Sequence, residues 1–268
     1  MKNIIKKIKI DDSLYVLLLI GMLSGYIKDI VMLFSIVLIH ELGHVIFFTL
    51  FKIEIERIVI YVTGGICYVN KKINNRILYD FIINIAGIMM QVMLFVIIYL
   101  LWKNGYVIDS TYHMFKIYNI SIILFNLLPI IPLDGSKLFF NICSKYFSFI
   151  VSYKLMIIVS IISLLLFVIF NVIVGINEIV ICIFLLIQLF IVIKEYRYVK
   201  GKFYLERILY DNYYDEIVNG NCLVKNMKIG KYYYFYKDGR YYNENKAERH
   251  IRGGMATKLK YEHEREAV

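Results

Sequence analysis

The chain has 268 residues, of which 60% are hydrophobic and only 19% charged. Soluble domains run about half apolar and about a quarter charged, so an ordinary soluble domain is excluded and a polytopic membrane protein indicated. Thirty-one Lys and Arg against 21 Asp and Glu give a net charge of +10. The excess lies at the ends and in short clusters, which reads as cytoplasmic flanking charge rather than a nucleic-acid surface, so no nucleic acid is expected as a partner. The four cysteines, Cys67, Cys143, Cys182 and Cys222, show no CxxC spacing and suggest neither a disulfide framework nor a cysteine-zinc site. Cys182 lies in an apolar run and reads as a small packing residue.

The basic start (Lys2, Lys6, Lys7, Lys9) precedes an apolar run without a small-x-small cleavage site, so the spacing predicts an uncleaved first span over Leu14–Ile27. That span is short of the roughly 20 residues a bilayer asks for. Its Gly21-x-x-x-Gly25 spacing is suited to close helix packing. A second span runs from Asp29 to Phe51. Between Lys52 and Arg76, a β-prone run from Ile53 to Val62, a turn at Thr63-Gly64-Gly65 and a short strand from Ile66 to Val69 predict a β-hairpin lying against the membrane.

The third span, about Ile77–Trp102, carries Asn84, Gly87 and Gln91, so one stripe faces protein rather than lipid. The fourth, about Met114–Ile131, ends in the run Asn126 to Gly135, which holds both prolines of the chain. Pro129 and Pro132 interrupt regular helix, and broken backbone at membrane depth is tolerated only where it is buried in protein or lines a cavity. An amphipathic connector over Ser136–Tyr153 leads to spans five and six, Leu155–Val174 and Glu178–Ile193. Six spans place both termini, the 52–76 loop and the 136–154 connector on one side. Their Lys and Arg residues make that side the cytoplasmic one.

From Lys194 onward the sequence is polar and rich in tyrosine. Lys231 to Tyr242, around Asp238-Gly239, has a hairpin pattern. Interleaved basic and aromatic residues also suit single-stranded nucleic acid, but a small strand-paired cytoplasmic module is the simpler reading. The last stretch, Ala247–Val268, reads as helical or disordered. The expected fold class is thus an all-α polytopic membrane protein with about six transmembrane helices, a membrane-associated β-hairpin and a small α+β cytoplasmic C-terminal module. The expected division is a membrane domain over 1–197 and a C-terminal region over 198–268.

The chemistry-bearing residues lie inside this apolar frame. His40 and His44 stand at i and i+4, on one helix face, with Glu41 beside them. Placing two histidines and a glutamate in one span is costly unless a metal or partner charge offsets it. A hydrolytic zinc site takes three protein ligands and keeps a fourth position for water. Asp134, after the proline-broken turn, is the candidate third ligand; an N-cap for the connector is the alternative, and the two roles are compatible. Glu41 would take a proton from the activated water and deliver it to the leaving amine. Asn126 is a candidate oxyanion donor, or equally a backbone cap at the helix break.

His40-Glu41-Leu42-Gly43-His44 together with the run from Asn126 through Pro129 and Pro132 to Asp134-Gly135 resembles the site-2 protease family of intramembrane metalloproteases, most of all its sporulation members, over residues about 1 to 210. The resemblance implies one zinc ion held by His40, His44 and Asp134, with Glu41 as catalytic acid and base. It implies that Asn126 and Pro132 border the cleavage site, and that the hairpin with Gly64 and Gly65 offers an edge strand to an unwound substrate. The implied substrate is the pro-sequence of a sporulation sigma factor, cleaved at the mother-cell membrane around the forespore. Inhibitory membrane proteins and membrane lipids are the implied partners. The sporulation members also carry a nucleotide-sensing domain of the cystathionine-β-synthase type, whose ligand would be ATP; the tail here resembles only part of one. Thr63 stands where the family often has Phe, and Ile88 where it often has Pro after Ala-Gly. A catalytically idle scaffold and a metal transporter using the same three ligands are the rival readings.

Overall fold

A computed structural model of the chain describes residues 8–61, 64–69, 73–171, 176–209, 216–219, 226–237 and 240–243. The chain divides into two compact units, one formed by Met1–Lys71 and Leu78–Leu138, the other by Lys72–Ile77 and Phe139–Val268. The first unit holds β1 (Ile8–Ile10), α1 (Asp12–Ser24), α2 (Ile27–Leu50), β2 (Ile55–Tyr61), β3 (Gly64–Val69), nearly all of α3 (Ile77–Lys103), α4 (Asp109–Leu127) and the start of α5 (Asp134–Tyr146).

Glycine decides how α1 and α2 meet. Gly25 ends α1 with φ +79, a conformation that side chains resist. At Gly21 a Cβ would lie 2.5 Å from Ile30 Cδ1 on α2, so the first glycine of the predicted small-residue spacing is a packing contact and the second is a turn. With 13 residues α1 is about 20 Å long, short of the roughly 30 Å hydrocarbon core. Helix α2 follows the expected second span closely, and α3 the third. The turn from α3 to α4 uses Gly105 at φ +80 and is closed by Trp102 Nε1 donating to Asp109 Oδ1 at 2.6 Å. The Tyr118 hydroxyl of α4 donates to Asp29 at 2.5 Å, tying α4 to the first turn of α2.

The three strands form one sheet in the order β1-β2-β3, with β1 parallel and β3 antiparallel to β2. The hairpin is as expected, but its turn is not. Gly64 and Gly65 already belong to β3, paired with Tyr61 and Ile60. The first residue of the expected turn, Thr63, and the last of the expected strand, Val62, lie outside the described residues. Strand β3 packs on α2, and among the described residues its second edge carries no further strand.

Among the described residues, four helices are long and apolar enough to cross a membrane: Ile27–Leu50, Ile77–Lys103, Phe149–Ile169 and Ile179–Arg207. The expected first and fourth spans do not meet that test. Helix α1 is too short, and α4 carries Asp109, His113 and Lys116 in its first half. Outward faces are apolar, as at Leu165 and Phe190, whereas Asn84, Gln91 and Asn119 are buried. This inversion is what a lipid solvent requires.

The second unit contains the rest of α5, α6 (Phe149–Asn171), α7 (Ile176–Leu209) and the strands β4 (Glu216–Asn219), β5 (Lys231–Lys237) and β6 (Arg240–Asn243). Helix α7 does not stop near Ile193, the expected end of span six. Its 34 residues continue through the charged run to Leu209, about 50 Å in all, because no proline breaks the run and its only glycine, Gly201, sits in open space. Strand β5 pairs parallel to β4 and antiparallel to β6, so the expected strand pairing around Asp238-Gly239 is present, although those two residues are outside the described ones. The stretch Ala247–Val268 also lies outside them. Phe149, Phe203, Tyr204, Met227, Ile229 and Tyr233 form the core, with the Phe149 and Phe203 rings stacked at 4.2 Å.

A buried polar clamp closes this unit. The Glu206 carboxylate accepts from the backbone N–H of Ile73 at 2.6 Å and of Asn74 at 3.2 Å. Arg207 donates to Asn74 Oδ1 and to the carbonyls of Lys228 and Lys231. Glu206→Ala leaves the buried N–H of Asn74 and the half-buried N–H of Ile73 without that acceptor, at about 1–3 kcal/mol for a fully buried group and less for the other. The variant is expected to melt well below the parent in detergent and to be cut faster in limited proteolysis, with Glu206→Gln affected less. An unchanged melting temperature for Glu206→Ala would remove the clamp from the account.

Candidate metal centre

Helix α2 brings His40 and His44 onto one face, as the i, i+4 spacing demands, and both are buried. From 90 residues downstream of His44, Asp134 projects its carboxylate between them. Asp134 Oδ2 lies 2.9 Å from His40 Nε2 and 3.0 Å from His44 Nε2, and the two Nε2 atoms are 3.2 Å apart. The other carboxylate oxygen, Oδ1, accepts from Lys137 Nζ at 2.8 Å. Asp134 is the first residue of α5, but it caps no backbone N–H. Its oxygens are taken by side chains, and the Ser136 N–H and hydroxyl both turn to Leu133 O. Of the two sequence alternatives for Asp134, the carboxylate sits with the histidines.

Helix α3 supplies the outer contacts. Ile83, Gly87 and Gln91 recur at intervals of four and share one face. His44 Nδ1 donates to Ile83 O at 2.7 Å, and His40 Nδ1 lies 2.9 Å from Gln91 Oε1. Between them a Cβ on Gly87 would stand 2.5 Å from His40 Cε1, 2.6 Å from His40 Nε2 and 2.7 Å from His44 Nε2, so only glycine fits there. A Cβ on Gly43 would meet Ala86 O at 2.6 Å, so α2 and α3 approach through glycine on both sides. Gly135 plays the same part at the broken turn, where a Cβ would collide with the carbonyl oxygens of Leu127 and Leu128. Ile131–Pro132 is cis in that turn.

These contacts test whether a metal fits. A carbonyl oxygen only accepts. With each Nδ1 facing a carbonyl, the ring proton of each histidine sits on Nδ1 and each Nε2 offers a lone pair. With both rings neutral, two lone pairs and a carboxylate oxygen face one another at 2.9–3.2 Å, a set of acceptors that a bound cation or added protons would satisfy. His, His and Asp are also the donor types zinc takes, and bonds of about 2.0–2.2 Å in tetrahedral geometry put ligand atoms only a little farther apart than this. The three groups are the one metal-binding cluster found among the described residues.

The remaining predicted residues are placed as follows. Glu41 is half-buried, on the same turn of α2, within electrostatic range of His40, His44, Asp134 and Lys137. Asn126 lies in the last turn of α4, half-buried, and makes no side-chain hydrogen bond among the described residues. Pro132 is half-buried in the turn before Asp134. Gly64 and Gly65 open β3. On that strand, Cys67 has its thiol pushed up to about 11 by burial, with the charge of Glu41 adding to it. The hairpin therefore lies within electrostatic reach of Glu41. Sequence reasoning noted Gly87 and Gln91 only as members of a polar stripe and did not single out Lys137 as a partner of Asp134. Their signals were a glycine and an uncharged amide inside an apolar span, and a lysine one turn after the aspartate.

Residues 29–108 and 101–170 match peptidase family M50. The chain is 33% identical over 208 residues to stage IV sporulation protein FB of Bacillus subtilis (strain 168), covering 76% of this chain and 72% of that protein. Its fold is similar to that of the site-2 protease from Methanocaldococcus jannaschii, with a TM-score of 0.52 and 22% identity over 68% of this chain and 88% of that one.

Two outcomes follow from the geometry. Gly87→Ala drives a methyl into both imidazoles, and overpacking of this kind costs about 1–3 kcal/mol. The purified variant is expected to carry far less metal than the parent by elemental analysis, and equal metal content would show that the rings can move aside. At pH 8 a thiol pushed up from near 9 to about 11 holds about a hundredfold less thiolate. Maleimide labelling of Cys67 is expected to be slow by at least that factor and to accelerate in Glu41→Gln; labelling at the rate of a free thiol would show that the strand does not bury it, and an unchanged rate in Glu41→Gln would separate the strand from Glu41.

Proposed function

The chain belongs to peptidase family M50, and on that premise we propose that it is a zinc-dependent intramembrane endopeptidase that hydrolyses a peptide bond in a membrane-associated pro-protein. The observation that carries this reading is the set of three buried acceptor atoms of His40, His44 and Asp134, which a bound cation would satisfy, with a carboxylate, Glu41, beside them. When bound, zinc supplies Lewis acidity to water and to the scissile carbonyl.

The chain's own residues do the rest. Glu41 accepts the proton of the attacking water as oxygen adds to the carbonyl carbon, then passes it to the amine nitrogen as the C–N bond breaks. Asn126, whose amide makes no side-chain hydrogen bond among the described residues, donates to the developing oxyanion. A helical peptide keeps its scissile bonds inside the backbone ladder, so the substrate has to be extended first. The edge of β3, which begins at Gly64 and Gly65 and pairs with no further strand among the described residues, suits an added substrate strand, and Pro132 borders the cleavage site.

The substrate assigned is the pro-sequence of a sporulation sigma factor. The sporulation-type motifs and the identity to a sporulation protein support it. The same support extends to the mother-cell membrane around the forespore as the location, with both termini cytoplasmic. In a six-pass arrangement α1 and α4 would be the two short or polar passages. Inhibitory membrane proteins are the expected regulators. Residues 198–268 are assigned to a cytoplasmic region related to a nucleotide-sensing module, with ATP as its ligand, and residues 1–197 to the protease domain.

Co-expression with a pro-sigma substrate tests the reading. Glu41→Gln is expected to keep its zinc and lose cleavage by about 10²–10⁴-fold, the range of general acid–base catalysis. Asp134→Ala is expected to lose both zinc and cleavage. If both variants process the substrate as the parent does, the protease reading is wrong.

A further inference from the structure

We propose that Gln91 is a positioning residue that holds His40 in the tautomer able to bind metal. This rests on the metalloprotease reading of the site above. Gln91 is fully buried in α3, and its side chain makes one hydrogen bond, through Oε1, to His40 Nδ1 at 2.9 Å. Its Nε2 has no partner among the described residues, nor has the buried Oδ1 of Asn119, whose amide donates only a long bond of 3.4 Å to the backbone oxygen of Gln91. Folding does not explain such a residue. A leucine or methionine would fill the same volume in an apolar span and leave no amide half-satisfied. What Gln91 does provide is an acceptor at the one His40 nitrogen that does not face Asp134.

The direction of that bond decides the chemistry at the far side of the ring. With Oε1 accepting, the proton stays on Nδ1 and Nε2 keeps its lone pair toward Asp134 Oδ2, 2.9 Å away. The reversed amide would donate to Nδ1, move the ring proton to Nε2, and leave His40 with nothing to give a metal. His44 receives the same service from a backbone carbonyl, Ile83 O, which no side-chain substitution removes. The two ligands therefore differ in how they can be disabled: His40 depends on a side chain eight residues along the same helix face, His44 does not. A partner of this kind is typically worth 10–100-fold in metal affinity.

The test is zinc affinity of the full chain purified in detergent, measured by chelator competition, with the d–d spectrum of the cobalt-loaded protein as a second readout. Gln91→Met, close in volume but with no strong acceptor, is expected to bind zinc about 10–100-fold more weakly and to shift the cobalt bands, while its metal-free melting temperature stays at the parent's. Gln91→Glu offers two acceptor oxygens and no donor, and is expected to retain zinc and the parent cobalt spectrum. Parent-like affinity in Gln91→Met overturns the proposal. If Gln91→Met does not fold, Gln91→Glu decides alone: loss of zinc there means that the amide donor, not the acceptor, is what the site uses, and the proposal fails. A parent that binds no zinc sinks the underlying metalloprotease reading instead, which the Gln91 variants by themselves do not.

Discussion

Two imidazole nitrogens and a carboxylate oxygen held face to face within 3.2 Å form the constraint on which the rest of this site turns. Left to themselves such groups would separate or take up protons. They stay together because each is fixed from behind: His44 by the backbone of α3, His40 by Gln91, Asp134 by Lys137. The glycines then follow from the need for room. Gly87 lets α3 lie against both rings, Gly43 lets α2 approach α3, and Gly135 lets the aspartate turn pass over the end of α4. Removing any one of these supports changes the position of a ligand rather than the presence of a helix.

In lipid the usual division of labour between apolar and polar contacts is altered. Leucine on the outside of α6 or α7 gains nothing by moving inward, because its solvent is already hydrocarbon. Buried polar pairs and close glycine contacts therefore carry much of the information that sets one helix against the next. Away from the candidate metal centre, the half-buried pair Tyr118 and Asp29 acts in this way, while the exposed pair Trp102 and Asp109 closes a turn.

Much of the site was legible because its signals were local or costly. His40, Glu41 and His44 share a turn by spacing alone, and a charge-bearing motif in an apolar span is hard to explain without a compensating ion. Asp134 stood out as a candidate because two prolines mark the broken backbone before it. What could not be read was which atoms face which. Periodicity placed Gly87 and Gln91 on a protein-facing stripe but did not say that one clears the imidazoles and the other accepts from one. The span count was harder for a different reason. Apolar stretches over Leu14–Ile27 and Met114–Ile131 look like spans by composition, yet the helices formed there are short or carry charge near one end. The expected hairpin turn took in Gly64 and Gly65 because glycine pairs usually mark turns, whereas here they open a strand. Helix α7 ran past its expected end because charged residues stop a membrane span without stopping a helix.

The stripe of Ile83, Gly87 and Gln91 has an evolutionary corollary. On an α-helix a single inserted or deleted residue rotates everything beyond it by about 100°. One such event between positions 83 and 91 would remove at least one support of the metal site at a stroke, with no smaller step available. The stretch of α3 from Ile83 to Gln91 should therefore vary among descendants only by substitution. The stretch from there to the Gly105 turn, which faces no ligand, is free to change in length.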